Sequence, residues 1–184
     1  MNKSAIKRSS GEDGKQADRR QGIIEAAYDC FLQYGYEKTA LADIATRAGL
    51  SRTLLYLQFR NKEEIFLETT RWLYREQFAK ARMVLSGGGS PKEKLLLIYE
   101  ELLLSPWARI SQAPGGAQFL QACHTLSPRL DEEYEREAVK LLRPILGEKA
   151  VIEVFLLCID GLYSDDPTTA TLRKRIRILV DRFL

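Results

Sequence analysis

Between residues 39 and 62 the segment TALADIATRAGLSRTLLYLQFRNK sets side chains suited to polyanion recognition at helical spacing. Arg52 can fork onto a guanine edge or take a phosphate. Thr53 and Leu57 offer methyl groups to a thymine methyl. The Tyr56 hydroxyl and the Lys62 ammonium suit phosphate oxygens at the edges of a groove. Thr39 and Ser51 stand where helices begin, and free backbone N–H groups there favour phosphate. Four bases (Arg47, Arg52, Arg60, Lys62) face one acid, Asp43, in this segment.

These groups need a frame of short helices. Ile23, Ala27, Phe31 and Tyr34 recur at helical spacing, so a first helix is expected from about Asp18 to Tyr34. Gly35 supplies its left-handed cap, and Tyr36 can fold back on Phe31. Thr39 is the expected N-cap of a second helix with Asp43 in its first turn. Leu41, Ile44, Ala45 and Ala48 form that helix's inner face. Gly49 permits a sharp turn, and Ser51 caps a third helix over 52–57. Leu55 and Phe59 point inward, which leaves Arg52, Thr53, Tyr56 and Leu57 outward. Asn61 with Glu64 makes a capping box for a long helix over 62–84. Two short helices joined by a tight turn are the spacing of a helix-turn-helix, which lays one helix in the major groove. Caps, glycine turns and this spacing also occur in ordinary helical bundles.

The order of residues narrows the choice. GYEKTALADIATRAGLSRTLLYLQFRNKEEIF resembles the N-terminal signature of the TetR (tetracycline repressor-like) family of bacterial regulators. The matching positions are Gly35, Thr39, Asp43, Ile44, Ala45, Ala48, Gly49, Ser51, Leu55, Tyr56, Phe59, Lys62 and Glu63. The likeness covers about residues 18–70. It implies an all-α homodimer with a DNA-binding head and a larger domain that takes a small ligand. It also implies phosphate contacts for Thr39, Ser51, Tyr56 and Lys62, and places Arg52, Thr53 and Leu57 near bases. Thr53, Leu54 and Leu57 depart from the common pattern, where Gly, Thr and a polar or aromatic residue are frequent. Operator preference therefore does not carry over from relatives.

Composition agrees with a basic head. Residues 1–85 hold 15 Lys/Arg against 11 Asp/Glu, and the remainder holds 13 against 14. A basic N-terminal part suits a polyanion. No apolar run reaches the ~20 residues of a membrane span, and the N-terminus lacks an apolar signal core. Cys30, Cys123 and Cys158 show no paired spacing, which fits a reducing cytoplasm. Residues 1–16, rich in Ser, Gly and Lys, read as a disordered arm, with Lys3, Lys7 and Arg8 as its possible phosphate contacts. The head is expected over 17–62 and a ligand-binding and dimerisation domain over 63–184, with a break at SGGGSP (86–91).

Beyond that break the pattern predicts helices at about 91–104, 106–112, 116–125, 128–146, 148–163 and 168–183. About nine or ten helices are expected in all, with no strand. VIEVFLLCIDGLY is apolar on more than one face, which calls for burial on two sides. The last helix has a stripe of Leu172, Ile176, Leu179, Val180 and Phe183, with Arg173, Lys174, Arg175 and Arg177 on a solvated rim. These two helices are the expected dimer contact, as the resemblance also implies. Candidate pocket residues are Tyr99, Leu103, Trp107, Phe119, Cys123, His124, Phe155, Ile159 and Tyr163; core packing is the competing role for each. Trp107, beside Pro106 in an expected irregular segment, is the foremost of them, and PGG at 114–116 is an expected break. His124 beside Cys123 makes a poor chelate, because neighbouring helix residues diverge, so no metal is expected. No glycine-rich phosphate loop or nucleophile motif is present, so neither an enzyme nor a cofactor is expected.

The functional expectation is a cytoplasmic homodimeric regulator, a repressor, that binds a near-palindromic duplex operator and is released by a small-molecule effector. The alternatives are a helical small-molecule-binding protein without sequence-specific DNA binding, or an activator of the same family.

Overall fold

The computed structural model describes the backbone of residues 3–126 and 128–184, and the side chains of 15–126 and 129–184. Among the described residues every regular element is helical, as the sequence pattern predicts. The elements are α1 (Lys3–Tyr34), α2 (Leu41–Arg47), α3 (Arg52–Gln58), α4 (Lys62–Ser86), α5 (Pro91–Tyr99), a π-helical turn (Glu100–Leu104), α6 (Ser105–Ser111), α7 (Gly116–Leu126), α8 (Pro128–Leu146), α9 (Lys149–Leu162) and α10 (Thr169–Phe183). The first helix reaches back through most of the segment expected as an arm. The side chains of Lys3, Lys7 and Arg8 lie outside the described residues.

The chain divides into two compact units, Met1–Trp72 with Ala113–Leu126, and Leu73–Gln112 with Ser127–Leu184. This differs from the boundary expected at residue 62. The first unit keeps the opening turns of α4 and recovers α7 from far along the chain. The glycine stretch at 86–91 joins two helices of one unit rather than two domains. There Ser90 and Glu93 cap α5 reciprocally, Ser90 N–H on Glu93 Oε2 at 2.8 Å and Glu93 N–H on Ser90 Oγ at 3.3 Å.

In the first unit α1 buries Ile23, Ile24, Ala27, Tyr28, Cys30 and Phe31. Gly35, at φ +78°, ends the helix as expected, and its N–H closes on the Phe31 carbonyl at 2.9 Å. An aromatic knot follows. Phe66 of α4 stands 5.2 Å from Phe31, 5.0 Å from Tyr36 and 5.4 Å from Phe119 of α7. Edge-on pairs of this kind add to the ~1.5–3 kcal/mol that burial of each large apolar side chain contributes. The loop before α7 then touches α1 itself. Gly115 N–H donates to the Leu32 carbonyl at 2.7 Å, and a Cβ at this position would collide with the Gly35 backbone and the Phe31 carbonyl. Gly115, inside the stretch expected as a break, is there for close approach.

In the second unit Leu95, Ile98, Leu102, Trp107, Leu142, Ile152, Phe155, Leu172, Ile176 and Val180 form the core. The expected helix over 91–104 and its neighbour at 106–112 are one run, α5 to α6, with the π turn between. Pro106 accounts for the widening. It has no N–H, and its ring crowds the carbonyl four residues back. Arg173 of α10 anchors the π turn through Glu100 at 2.7 Å. Arg175 grips Asp165 with both nitrogens, at 2.6 and 2.8 Å, and donates to the Leu162 carbonyl at the end of α9. Two of the expected rim arginines therefore have structural partners.

Candidate nucleic-acid interface

The outward face of α3 follows from how its ends are held. Gly49, at φ +66°, turns the chain out of α2. Ser51 caps α3, its Oγ accepting from Leu54 N–H at 3.2 Å. Leu55 and Phe59 are buried at 1% and 2% exposure, so the helix is pinned by its inner side. The other side faces solvent. Leu57 is 72% exposed and Tyr56 56%, with Arg52 and Thr53 also exposed one turn earlier. These four form a compact patch with one cation, two hydroxyls and an apolar tip. Such a patch can meet a groove of DNA through both phosphates and base edges.

Two acids of the flanking helices are occupied. The Asp43 carboxylate accepts from Ala40 N–H at 3.0 Å. The Glu64 carboxylate accepts from Arg60 N–H at 2.7 Å, and Glu64 N–H in turn bonds Asn61 Oδ1 at 2.8 Å. Each carboxylate thus satisfies a helix start, where it also suits the dipole, and its charge is spent locally rather than on the α3 face.

Two of the expected phosphate ligands have partners within the chain, and one expected cap moves by a residue. Ala40, not Thr39, is the N-cap of α2. Thr39 is 2% exposed, its hydroxyl donating toward the Gly35 carbonyl at 2.7 Å with the Cys30 carbonyl at 3.2 Å, and its N–H reaches the Gly35 carbonyl at 3.2 Å. Thr39 therefore locks the α1–α2 corner from inside, and neither donor points to a ligand. Lys62 is half-buried and donates to the carbonyls of Tyr36 at 2.8 Å and Glu37 at 3.0 Å. Its ammonium also lies 4.5 Å over the Tyr36 ring. Two of its three donors thus tie the start of α4 to the same corner.

One residue escaped the sequence reading. Arg20 of α1 stacks over the Phe59 ring at 4.0 Å, donates to the Gln58 carbonyl at 2.6 Å and pairs with Glu64 at 3.8 Å. It holds the C-terminal end of α3, where the last carbonyls lack partners. Only the spacing of bases on the polar side of α1 hinted at it, and spacing cannot pair residues 38 apart.

The nine candidate pocket residues divide between the two units. Phe119, Cys123 and His124 belong to the first unit, and the other six to the second. Phe119 packs on Tyr28 at 5.7 Å and on Phe66, as core; Cys123 is half-buried and His124 exposed. Trp107 sits inside helix α6 rather than in an irregular segment, and its indole N–H reaches the Pro167 carbonyl at 3.0 Å. Phe155 and Ile159 are core, Leu103 is half-buried, and Tyr163 donates to Asp160 at 2.9 Å. Tyr99 is buried too. No group of three or more potential metal ligands occurs among the described residues.

Comparison with known proteins places this geometry. Residues 23–69 match the family described as bacterial regulatory proteins, tetR family. The uncharacterised HTH-type transcriptional regulator YuxN of Bacillus subtilis is 29% identical over 152 residues, 79% of this chain and 52% of its own length. An HTH-type transcriptional repressor of Mycobacterium tuberculosis is 32% identical over 95 residues, 52% of this chain and 46% of the relative. The chain thus spans about half the length of these curated relatives. A TetR transcription regulator from Haloarcula marismortui superposes with a TM-score of 0.75 at 18% identity, over 91% of this chain and 99% of that one, which establishes a shared fold. Over residues 23–69 the chain thus carries the sequence pattern of the tetR family of bacterial regulatory proteins.

Proposed function

We propose that the chain is a dimeric, ligand-responsive DNA-binding regulator acting in the cytoplasm, and that it represses its target genes. The observation that carries this reading is the α3 patch: Arg52, Thr53, Tyr56 and Leu57 outward on a helix pinned by Leu55 and Phe59. Ser51 offers its hydroxyl at the helix start. Repression is favoured by the mycobacterial relative, whose name describes a repressor.

Dimerisation is supported by apolar side chains left exposed on the last two helices. Val151, Val154 and Leu157 on α9 are 38%, 52% and 72% exposed, and Ile178 on α10 is 52% exposed. A second copy covering them gives a two-fold contact. Two α3 helices then meet half-sites about one DNA turn apart, ~34–36 Å. An effector that prefers a dimer with the wrong spacing releases the operator by population shift.

The test starts with selection of bound sequences from a random duplex pool, followed by fluorescence anisotropy on the winner. A near-palindrome bound with a steep salt dependence supports the proposal. Recovery of no motif removes it and leaves the reading of a ligand-binding protein without an operator.

A further inference from the structure

The cations of the first unit sort into tied and free. Arg20 holds Glu64 and the Gln58 carbonyl, Arg47 holds Asp29, Arg71 holds Glu68, and Lys62 holds the carbonyls of Tyr36 and Glu37. Arg52 is then the one cation among the four outward residues of α3. Lys15 and Arg19 of α1 are of the free kind. Both are exposed, and neither makes a side-chain hydrogen bond or ion pair among the described residues. Asp18, the acid between them in sequence, is exposed as well and pairs with neither. Residues four apart on a helix share a face, with about 5–6 Å between their Cβ atoms. Lys15 and Arg19 therefore present two mobile cationic heads side by side.

Their place is set by the next residue. Arg20 lies 4.0 Å over the Phe59 ring and meets the Gln58 carbonyl, so α1 passes the C-terminal end of α3 at this turn. Successive helix residues are turned by about 100°, which puts Arg19 to the side of that contact rather than in it. The turns before Arg20 leave the packed part of the head. Residues 15–19 are exposed one after another, and five successive positions take in every side of a helix. The stretch from Lys3 to Arg19 runs about 25 Å, the rise of about seven base pairs of duplex. Residues 3–20 hold six Lys/Arg against three Asp/Glu, with Ile6 the only large apolar side chain. Gly11 and Gly14 lower its helical propensity. A stretch of this make-up has little to bury against protein, and its charge suits a polyanion.

We propose that Lys15 and Arg19 hold backbone phosphates of duplex DNA outside the half-site that α3 reads, so that α1 lengthens the contact without adding sequence preference. Two cationic heads on one helix face suit adjacent phosphates of one strand. The occupant is the same duplex that α3 meets, because Arg20 ties this turn of α1 to the end of α3. Each phosphate so neutralised releases counterions, which makes the added affinity sensitive to salt. This rests on the DNA-binding reading above and extends its footprint to residues that the helix-turn-helix does not contain.

The test uses the full chain and two duplexes in fluorescence anisotropy. One is the selected operator cut at the edges of its half-sites, and the other carries about ten further base pairs on each side, more than the length of α1 beyond Arg20 requires. The longer duplex is expected to bind at least about tenfold more tightly at physiological salt, with log K falling more steeply against log salt by about 0.9 for each added phosphate. The double change Lys15→Ala with Arg19→Ala is expected to bring the longer duplex down to the shorter one. It should leave binding of the shorter duplex and Tm unchanged, since both side chains are exposed. Lys15→Arg with Arg19→Lys should keep the advantage, and scrambling the flanking sequence should not alter it. Equal affinity and salt slope on the two duplexes, an equal loss on both from the double alanine variant, a lower Tm for that variant, or an advantage that follows the flanking sequence each overturns the proposal. Failure of the unaltered chain to bind either duplex strikes the regulator reading itself, whereas equal binding of both strikes only this role of α1.

Discussion

The guanidinium of Arg20 and the carbonyl of Gln58 meet at 2.6 Å, joining the first helix to the last residue of α3. The aim of α3 thus depends on a side chain outside the helix-turn-helix. Arg20→Met keeps much of the stem that lies over Phe59 and removes the fork. It is expected to weaken binding by about tenfold on all operator variants alike, the size of one charge-assisted hydrogen bond. Arg20→Lys should recover part of this. Anisotropy on the selected operator and its single-base variants checks it; a change of preferred sequence would show instead that Arg20 reads bases.

The exposed α3 residues should divide by role. Tyr56→Phe removes a hydroxyl suited to phosphate and is expected to lower affinity evenly, by about fivefold to tenfold. Thr53→Ala and Leu57→Ala are expected to relax discrimination at particular base pairs. The same operator panel separates the two patterns, and an even loss from all three changes would cancel the assignment.

Thr39 is expected to behave as a core residue. Thr39→Val keeps the shape but withdraws the hydroxyl from the Gly35 and Cys30 carbonyls. A loss of about 1–3 kcal/mol is expected in urea unfolding. Ser51→Ala, which removes the α3 cap, should cost about 1 kcal/mol. A Thr39→Val protein of unchanged stability but weakened operator binding would return Thr39 to the DNA side.

Leu157 is 72% exposed on α9, and a charge there should be tolerated by a lone chain but not by a pair. Leu157→Glu is expected to convert a dimer to a monomer in light scattering, with the helical circular dichroism kept. Operator affinity should then fall steeply, because one half-site remains per molecule. A dimer that survives this change relocates the contact.

Burial pushes the Cys30 thiol up, against a smaller opposing pull from Arg47. A higher value leaves less thiolate at any given pH. At pH 8 its alkylation by iodoacetamide is therefore expected to lag well behind that of free glutathione, and to speed up only on unfolding. Mass-spectrometric peptide mapping follows it.

Local features were legible in the sequence because their causes are local. Gly35 and Gly49 stand where left-handed turns occur, Ser51 caps α3, and Leu55 with Phe59 marks its inner side. The helices from 62 onward were placed within a few residues for the same reason. What spacing could not reveal were pairings across the chain. Thr39 has the type of a cap, yet its hydroxyl turns inward. Lys62 has the type of a phosphate ligand, yet carbonyls at 36 and 37 take two of its donors. Pro106 suggested a break, and the π turn absorbed it instead. Phe119 and Phe155 fall in different units, which periodicity could not show, because it says which face is apolar but not which core receives it.

The place of α7 bears on which pieces of this chain can be exchanged. Gly115 lies against the end of α1, and Phe119 completes the aromatic knot around Phe66. A head cut from this chain at residue 62 or 72 leaves that knot open. The unit that can be transplanted is discontinuous: residues up to Trp72 together with 113–126. Recombination between relatives at a single crossover thus mixes two halves of one core, and hybrids that keep both pieces from the same parent are the ones expected to fold.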